Sequence, residues 1–162
     1  MSTGSLDNVN HAAEFIEADI SDEGIEDTLE HYFEGTDYVF HLAAMARVQP
    51  SIEDPVHYDA VNVGGTLRML KLAADAGAEK FIFSSSSSVY GDPEYTPTDE
   101  VHPTNPISPY AANKLIGEVY CKMFAEVYHL PTVCLRYFNV YGERQPLEGA
   151  YALVMGILAD QL

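Results

Sequence analysis

Lys80-Phe-Ile-Phe-Ser-Ser-Ser-Ser-Ser-Val-Tyr-Gly91 is the stretch that decides the fold. Its apolar start and unbroken serine run predict a buried strand that ends in a polar turn. Leu130-Pro-Thr-Val-Cys-Leu-Arg-Tyr-Phe-Asn-Val-Tyr-Gly142 reads as a second strand, with Thr132 to Phe138 at its centre. Between the two, after a Pro-rich loop from Asp92 to Pro109, Ser108-Pro-Tyr-Ala-Ala-Asn-Lys114 opens a long amphipathic helix. Its expected apolar stripe is Ile116, Val119/Tyr120, Met123/Phe124 and Val127. Strand, helix, strand in this order predicts an α/β fold with parallel strands and chemistry at the strand ends.

Within that helix Tyr110 and Lys114 stand four residues apart, so phenol and ammonium share one face. A free tyrosine has a pKa near ~10 and is a poor base at neutral pH. A neighbouring cation stabilises the phenolate and brings it toward the working range of an acid–base catalyst. A serine hydroxyl on the other side could then relay a proton between a substrate oxygen and the tyrosine.

Upstream, Tyr38-Val-Phe-His-Leu-Ala-Ala44 is a continuous apolar strand of the kind expected in a parallel sheet covered on both faces. Glu14-Phe-Ile-Glu-Ala-Asp19 is a short strand candidate, and Ile25, Leu29 and Tyr32 or Phe33 give a helical stripe. A further helix is expected through Val61, Leu67, Leu70 and Ala74 to Gly77, and another is expected to begin over Tyr151–Leu162. The length suits one domain over residues 1–162.

Composition narrows the partners. With 25 acidic residues against 8 basic ones, the formal net charge is −17. Nucleic acid and anionic membranes attract positive fields, so neither is expected as a partner. The acidity fits either a well-solvated surface or adaptation to a high-salt cytoplasm, where screening relieves self-repulsion. Cys121 and Cys134 fall in a helix and a strand pattern and are expected as free thiols. The six histidines show no metal-ligand spacing, His41 reads as a packing residue, and no metal is expected. With no basic leader or apolar run of about 18 residues, a cytoplasmic protein is expected.

His41-Leu-Ala-Ala44, Asn62-Val-Gly-Gly-Thr66, Ser84-Ser-Ser86 with Val89-Tyr-Gly91, Tyr110 to Lys114, and Arg136-Tyr-Phe-Asn139 occur in one order. In these five motifs the chain resembles the extended short-chain dehydrogenase/reductase family, in particular its nucleotide-sugar epimerases and dehydratases of the UDP-glucose 4-epimerase kind. The resemblance covers nearly all the chain. It implies a partial Rossmann-like doubly wound parallel sheet, NAD as cofactor, a nucleoside-diphosphate sugar as substrate, and a homodimer.

The resemblance also implies roles residue by residue. Ser86, Tyr110 and Lys114 would be catalytic, with Ser86 and Tyr110 also touching substrate. Asp19 and Ile20 would hold the adenine. Leu42, Ala43 and Ala44 would lie along the cofactor, with Asn62 bracing their loop. Ser84 and Ser85 would line the nicotinamide pocket, where Tyr110, Lys114 and Tyr137 also meet the cofactor. Phe138 and Asn139 would meet the sugar nucleotide. Ser87 and Ser88 stand where the related 4,6-dehydratases carry an Asp-Glu pair, which favours epimerase chemistry. The implied reaction is 4-epimerisation of the UDP-glucose/UDP-N-acetylglucosamine type, by transient hydride transfer to bound NAD. The alternatives are another dehydratase or oxidoreductase of the family, or a non-catalytic interaction module.

No G-x-G-x-x-G turn occurs in the 162 residues, and the family places that turn after its first strand. The chain is therefore expected to be the middle of a longer enzyme, lacking the first two strands and the C-terminal substrate lobe, and to bind NAD weakly by itself. The Glu14–Asp19 and Tyr38 strands would each lose a neighbour; they could pair with each other, be complemented by a second chain, or leave the Glu14 strand frayed, and one of the first two is expected.

Salt separates the two readings of the acidic surface. Under salt adaptation the melting temperature is expected to rise steeply from low to molar KCl as repulsion is screened. A melting temperature flat across that range would leave only the solvated surface.

Overall fold

The computed structural model describes residues 5–142 with Arg144 and Leu158. Apart from Leu158, the helix expected over Tyr151–Leu162 lies outside the described residues. In chain order the elements are α1 (Ile25–Phe33), β1 (Tyr38–His41), α2 (Val48–Glu53), α3 (Pro55–Asp59), a π-helical turn (Ala60–Gly65), α4 (Thr66–Asp75), β2 (Lys80–Ser86), α5 (Pro109–Val127) and β3 (Thr132–Tyr137). The fold is α/β, with three parallel strands in the order β1-β2-β3.

Helix boundaries follow local chemistry. The Asp54 side chain accepts from the His57 amide at 3.2 Å and Pro55 opens α3, a pairing that suits the donor-poor first turn. Ser108 does the same for α5, accepting from the Ala111 amide at 3.1 Å ahead of Pro109. Gly77, at φ +71°, closes α4: its amide bonds Ala74 O at 3.1 Å and the Ala78 amide bonds Ala73 O at 3.0 Å.

Strand order decides which side of the sheet is covered. Two crossovers stepping the same way across a sheet, with the usual right-handed turn, place their helices on one face. Phe81, Phe83 and Ser85 point to that face, and Phe81, Phe83, Leu70, Ala73, Cys121 and Phe124 form the buried centre with Ile25 and Leu29 of α1. On the other face Tyr38 and Phe40 are 54% and 68% exposed. The expectation of a β1 covered on both faces is therefore corrected for the described residues.

Three further expectations change. Residues 14–19 form no strand, and β1 pairs with β2 alone among the described strands, so the expected pairing of the two is not seen. A strand is defined by its ladder, and this run contributes only Ile16 to the edge of the core. The helix expected from Val61 is part of a longer helical run that begins at Pro55. Of the expected α5 stripe, Phe124 is buried and Tyr120 and Met123 pack against the core, whereas Ile116, Val119 and Val127 are exposed. The buried side of α5 consists of Ala111, Asn113, Lys114, Gly117, Cys121 and Phe124. Both cysteines are free thiols, as expected.

Gly117 allows α5 to meet β2. A Cβ there would lie 2.4 Å from the tip of the Phe83 ring, which is itself buried. Gly117→Ala should gain about 1 kcal/mol in helix propensity and lose about 1–3 kcal/mol to overpacking, so the clash wins. Denaturant melts of the variant are expected to show net destabilisation, and an unchanged or raised midpoint would refute this tight approach.

Candidate active site

The carboxyl ends of the parallel strands gather most of the predicted residues on one edge of the sheet. His41 to Ala44 leave β1, Ser84 to Ser86 end β2, and Tyr137 to Asn139 end β3, with Ser86 directly beside Tyr137 in register. α5 starts at this edge. Its free amides are met by caps: Ala111 by Ser108, and Tyr110 by the hydroxyl of Ser51 at 3.1 Å. Ser51, fully buried in α2, in turn donates to the Val48 carbonyl. Nothing local in the sequence marks Ser51, because its contact lies 59 positions away.

Lys114 is 5% exposed. Its Nζ donates to the Ser84 carbonyl at 2.8 Å and stands 5.1 Å from the Phe83 ring centre and 5.9 Å from that of Tyr110. Burial lowers its pKa to about 8, still cationic at neutral pH. The predicted Tyr110/Lys114 pairing is thus present, with the ammonium held between phenol ring and strand end. Asn113, on the same helix, donates to Asp59 Oδ1 at 3.1 Å, while its buried Oδ1 has no partner among the described residues.

The serine run splits by strand alternation. Ser84 and Ser86 share a face with Tyr137, and Ser85 points to the helix-covered side. Ser85 is 4% exposed and its hydroxyl donates to Glu118, so its side chain is turned from the predicted nicotinamide pocket. Ser86 caps the turn that follows, accepting from the Ser88 amide at 3.2 Å and the Ser88 hydroxyl at 2.9 Å. That leaves the Ser86 O–H as a donor.

At the β1 end, Asn62 braces the loop as predicted. Its Oδ1 accepts from the Met45 amide at 2.8 Å and its Nδ2 donates to the Met45 carbonyl at 3.0 Å. Asn62 sits in the π-helical turn, a distortion often found at functional sites. Thr66 donates to the Asn62 carbonyl at 2.6 Å, so its hydroxyl oxygen accepts from His41 Nε2, 2.9 Å away. Asp19, Ile20, Ala43, Ala44, Met45 and His57 line an open cleft of about 840 Å³. Hydrogen bonds from the Ser21 hydroxyl and amide hold the Asp19 carboxyl below its usual range. Leu42, Phe138 and Asn139 are exposed at the same edge. Among the described residues no cluster of metal-ligating side chains occurs.

A model of the NAD dependent epimerase/dehydratase family matches residues 2–160. The UDP-glucose 4-epimerase of Mycolicibacterium smegmatis is 40% identical over 168 aligned positions, which cover 100% of this chain and 53% of the relative. Among solved structures, UDP-glucose 4-epimerase with UDP-glucose from Thermotoga maritima superposes with a TM-score of 0.90 at 39% identity, over 99% of this chain and 52% of that one. UDP-N-acetylglucosamine 4-epimerase from Methanobrevibacter ruminantium M1, in complex with UDP-N-acetylmuramic acid, gives a TM-score of 0.87 at 38% identity, over 99% and 53%. The chain spans about half the length of the curated relatives it matches.

His41 supplies a test of the β1 end. Burial, reinforced by the charge of Lys114, lowers its pKa to about 4, against about 6.5 in an unfolded chain. The folded state therefore favours neutral imidazole, and this contribution is complete above about pH 6.5 and lost as pH falls toward about 4. Wild type is expected to lose about 2–3 kcal/mol relative to His41→Gln between pH 7 and pH 4.5, as read by denaturant melts. A stability gap constant across that range would show that His41 does not titrate this way.

Proposed function

The chain belongs to the NAD dependent epimerase/dehydratase family, and on that premise we propose that the whole protein interconverts nucleoside-diphosphate sugars, of the UDP-glucose or UDP-N-acetylglucosamine type, by 4-epimerisation. The observation that carries this reading is the buried Lys114 cation beside the Tyr110 ring at the end of β2. Lys114 favours the phenolate of Tyr110, which makes it a base at neutral pH. The sugar C4 hydroxyl takes the place of the Ser88 hydroxyl as donor to Ser86. Ser86 passes its own proton to Tyr110 as it receives the substrate proton. After inversion Tyr110 returns the proton by the same route, and the sugar leaves with no net redox change.

The residues present suit the two ends of a dinucleotide. Asp19, Ile20, Ala43 and Ala44 offer an open cleft with small side chains on one wall, and Lys114 supplies a fixed cation near the other end. When bound, NAD supplies the acceptor for the C4 hydride and gives it back. Leu42, Asn62, Ser84 and Tyr137 would flank it, Ser85 would do so only through its backbone, and Phe138 and Asn139 would meet the sugar nucleotide. This chain alone, without a glycine-rich phosphate cradle, would hold NAD weakly. Ser87 and Ser88 occupy the turn after β2 without a carboxylate, which favours epimerisation over dehydration.

The exposed Ile116, Val119 and Val127 on α5, together with exposed Ile52 on α2 and Val56 on α3, two helices that contact α5, support a homodimer in which a second copy covers these apolar side chains. Free thiols at Cys121 and Cys134 support a cytoplasmic setting. Among the described residues no helix is long and apolar enough to cross a membrane.

Tyr110→Phe in the full-length protein keeps the ring and removes the proton carrier. Its turnover of UDP-glucose is expected to fall by roughly 10²–10⁴-fold, with bound NAD retained as measured by absorbance. Near wild-type epimerisation would overturn the assignment of Tyr110.

A further inference from the structure

Glu118 lies one helical turn beyond Lys114 on the sheet-facing side of α5, and its carboxylate joins three elements. Ser85 Oγ of β2 donates to Oε1. From β3, Arg136 Nε donates to Oε1 at 2.9 Å and Nη2 to Oε2 at 2.7 Å. Ser85 and Arg136 are register partners, so the fork of Arg136 and the hydroxyl of Ser85 reach the carboxylate side by side. The paired side chains are only 21% and 11% exposed. Arg136 also lies 4.9 Å over the Tyr90 ring, and its Nη1 reaches the Glu100 carbonyl at 3.4 Å. One junction thus gathers the catalytic helix, the strands β2 and β3, the serine turn and the loop before α5.

We infer that Glu118 and Arg136 are positioning residues that fix the catalytic helix against the ends of β2 and β3; the inference rests on the epimerase reading above. Strand alternation makes Ser85 the peg between Ser84 and Ser86. Anchoring Ser85 sets the direction of the Ser84 carbonyl that receives Lys114 and of the Ser86 hydroxyl that faces substrate. Arg136 immediately precedes Tyr137 to Asn139, so the same fork orients the other wall of the site. Stability alone does not account for the arrangement, because well-packed apolar residues often replace a buried ion pair without loss. What apolar residues lack is a bidentate geometry with one solution and an acceptor for Ser85. Glu118 and Arg136 touch no reacting atom, so their effect falls on turnover through Tyr110, Lys114 and Ser86.

The test uses the full-length protein with UDP-glucose as substrate. Glu118→Gln is expected to lower kcat about ten- to a hundredfold with KM within about threefold of wild type. Because removing one partner of a buried pair can unfold a protein, the double variant Glu118→Leu/Arg136→Met carries the decisive arm. Its melting temperature should match or exceed that of wild type while kcat stays depressed. A folded double variant with near wild-type kcat, or one whose loss lies in KM alone, overturns the inference. Absence of epimerisation by the wild type would defeat the functional reading instead. Amide exchange at residues 84–88 and 110–114 then decides the positioning role: faster exchange in the double variant supports it, and unchanged exchange overturns it.

Discussion

A cation buried at the end of a strand governs the arrangement around it. Lys114 takes its ammonium out of water, and the cost is visible in a pKa lowered to about 8. Its compensation comes from a carbonyl dipole and two ring faces: Ser84 O, Phe83 and Tyr110. Each partner imposes a requirement. The Ser84 carbonyl must stay at the end of β2, so that strand cannot slip in register. The Phe83 ring must lie under α5, so position 117 has no room for a Cβ. His41 stacks on Phe83 at 5.9 Å; burial, reinforced by the Lys114 charge, keeps it neutral, and its Nε2–H donates a hydrogen bond to Thr66.

The Thr66 bond carries the constraint to the opposite wall of the site. Thr66 receives His41 and donates to the Asn62 carbonyl, while the Asn62 side chain holds both backbone groups of Met45. The π-helical turn at Ala60–Gly65 widens the helix where Asn62 must turn toward the β1 loop. Gly65 in the same turn lies against Ile20, which leaves no space for a larger residue and seats the Asp19–Ile20 segment beside the cleft. The Lys114 cation and the candidate adenine wall are therefore joined through the interior by the Phe83 ring, the hydrogen-bonded run from His41 to Met45, and the contact of Gly65 with Ile20.

Legibility in the sequence followed the range of the interaction. Tyr110 and Lys114 could be read because their relation is local to one helix, and β2 because an apolar run meets a serine turn. The alternation that turns Ser85 toward Glu118 was also available, but the serine run masks which hydroxyls face which way. The sheet-facing side of α5 was misread because the site's chemistry occupies it. Asn113, Lys114 and Gly117 are buried there, while Ile116 and Val119 lie outside, reversing the usual amphipathic rule. Residues 14–19 could not be resolved by pattern, since strand identity resides in a partner. Ser51 had no signal at all: its role exists only when α2 meets the first turn of α5.

The two sides of the sheet differ in how they are held. β2 lies between two strands under Phe124, Cys121 and Leu70, and with β3 it meets Glu118 at one junction. β1 has four residues and one pairing partner among the described strands, and Tyr38 and Phe40 remain exposed on its open face. Fully burying a side chain such as Phe contributes about 1.5–3 kcal/mol, a contribution β1 largely lacks on that face. Its hold on the structure then depends more on the buried polar chain His41–Thr66–Asn62–Met45. Such chains are strong when every member is satisfied and costly when one is not. The residues proposed to move the proton thus sit on the part fixed by packing and ion pairing, and the cleft proposed for the far end of a cofactor sits on the part fixed by hydrogen bonds.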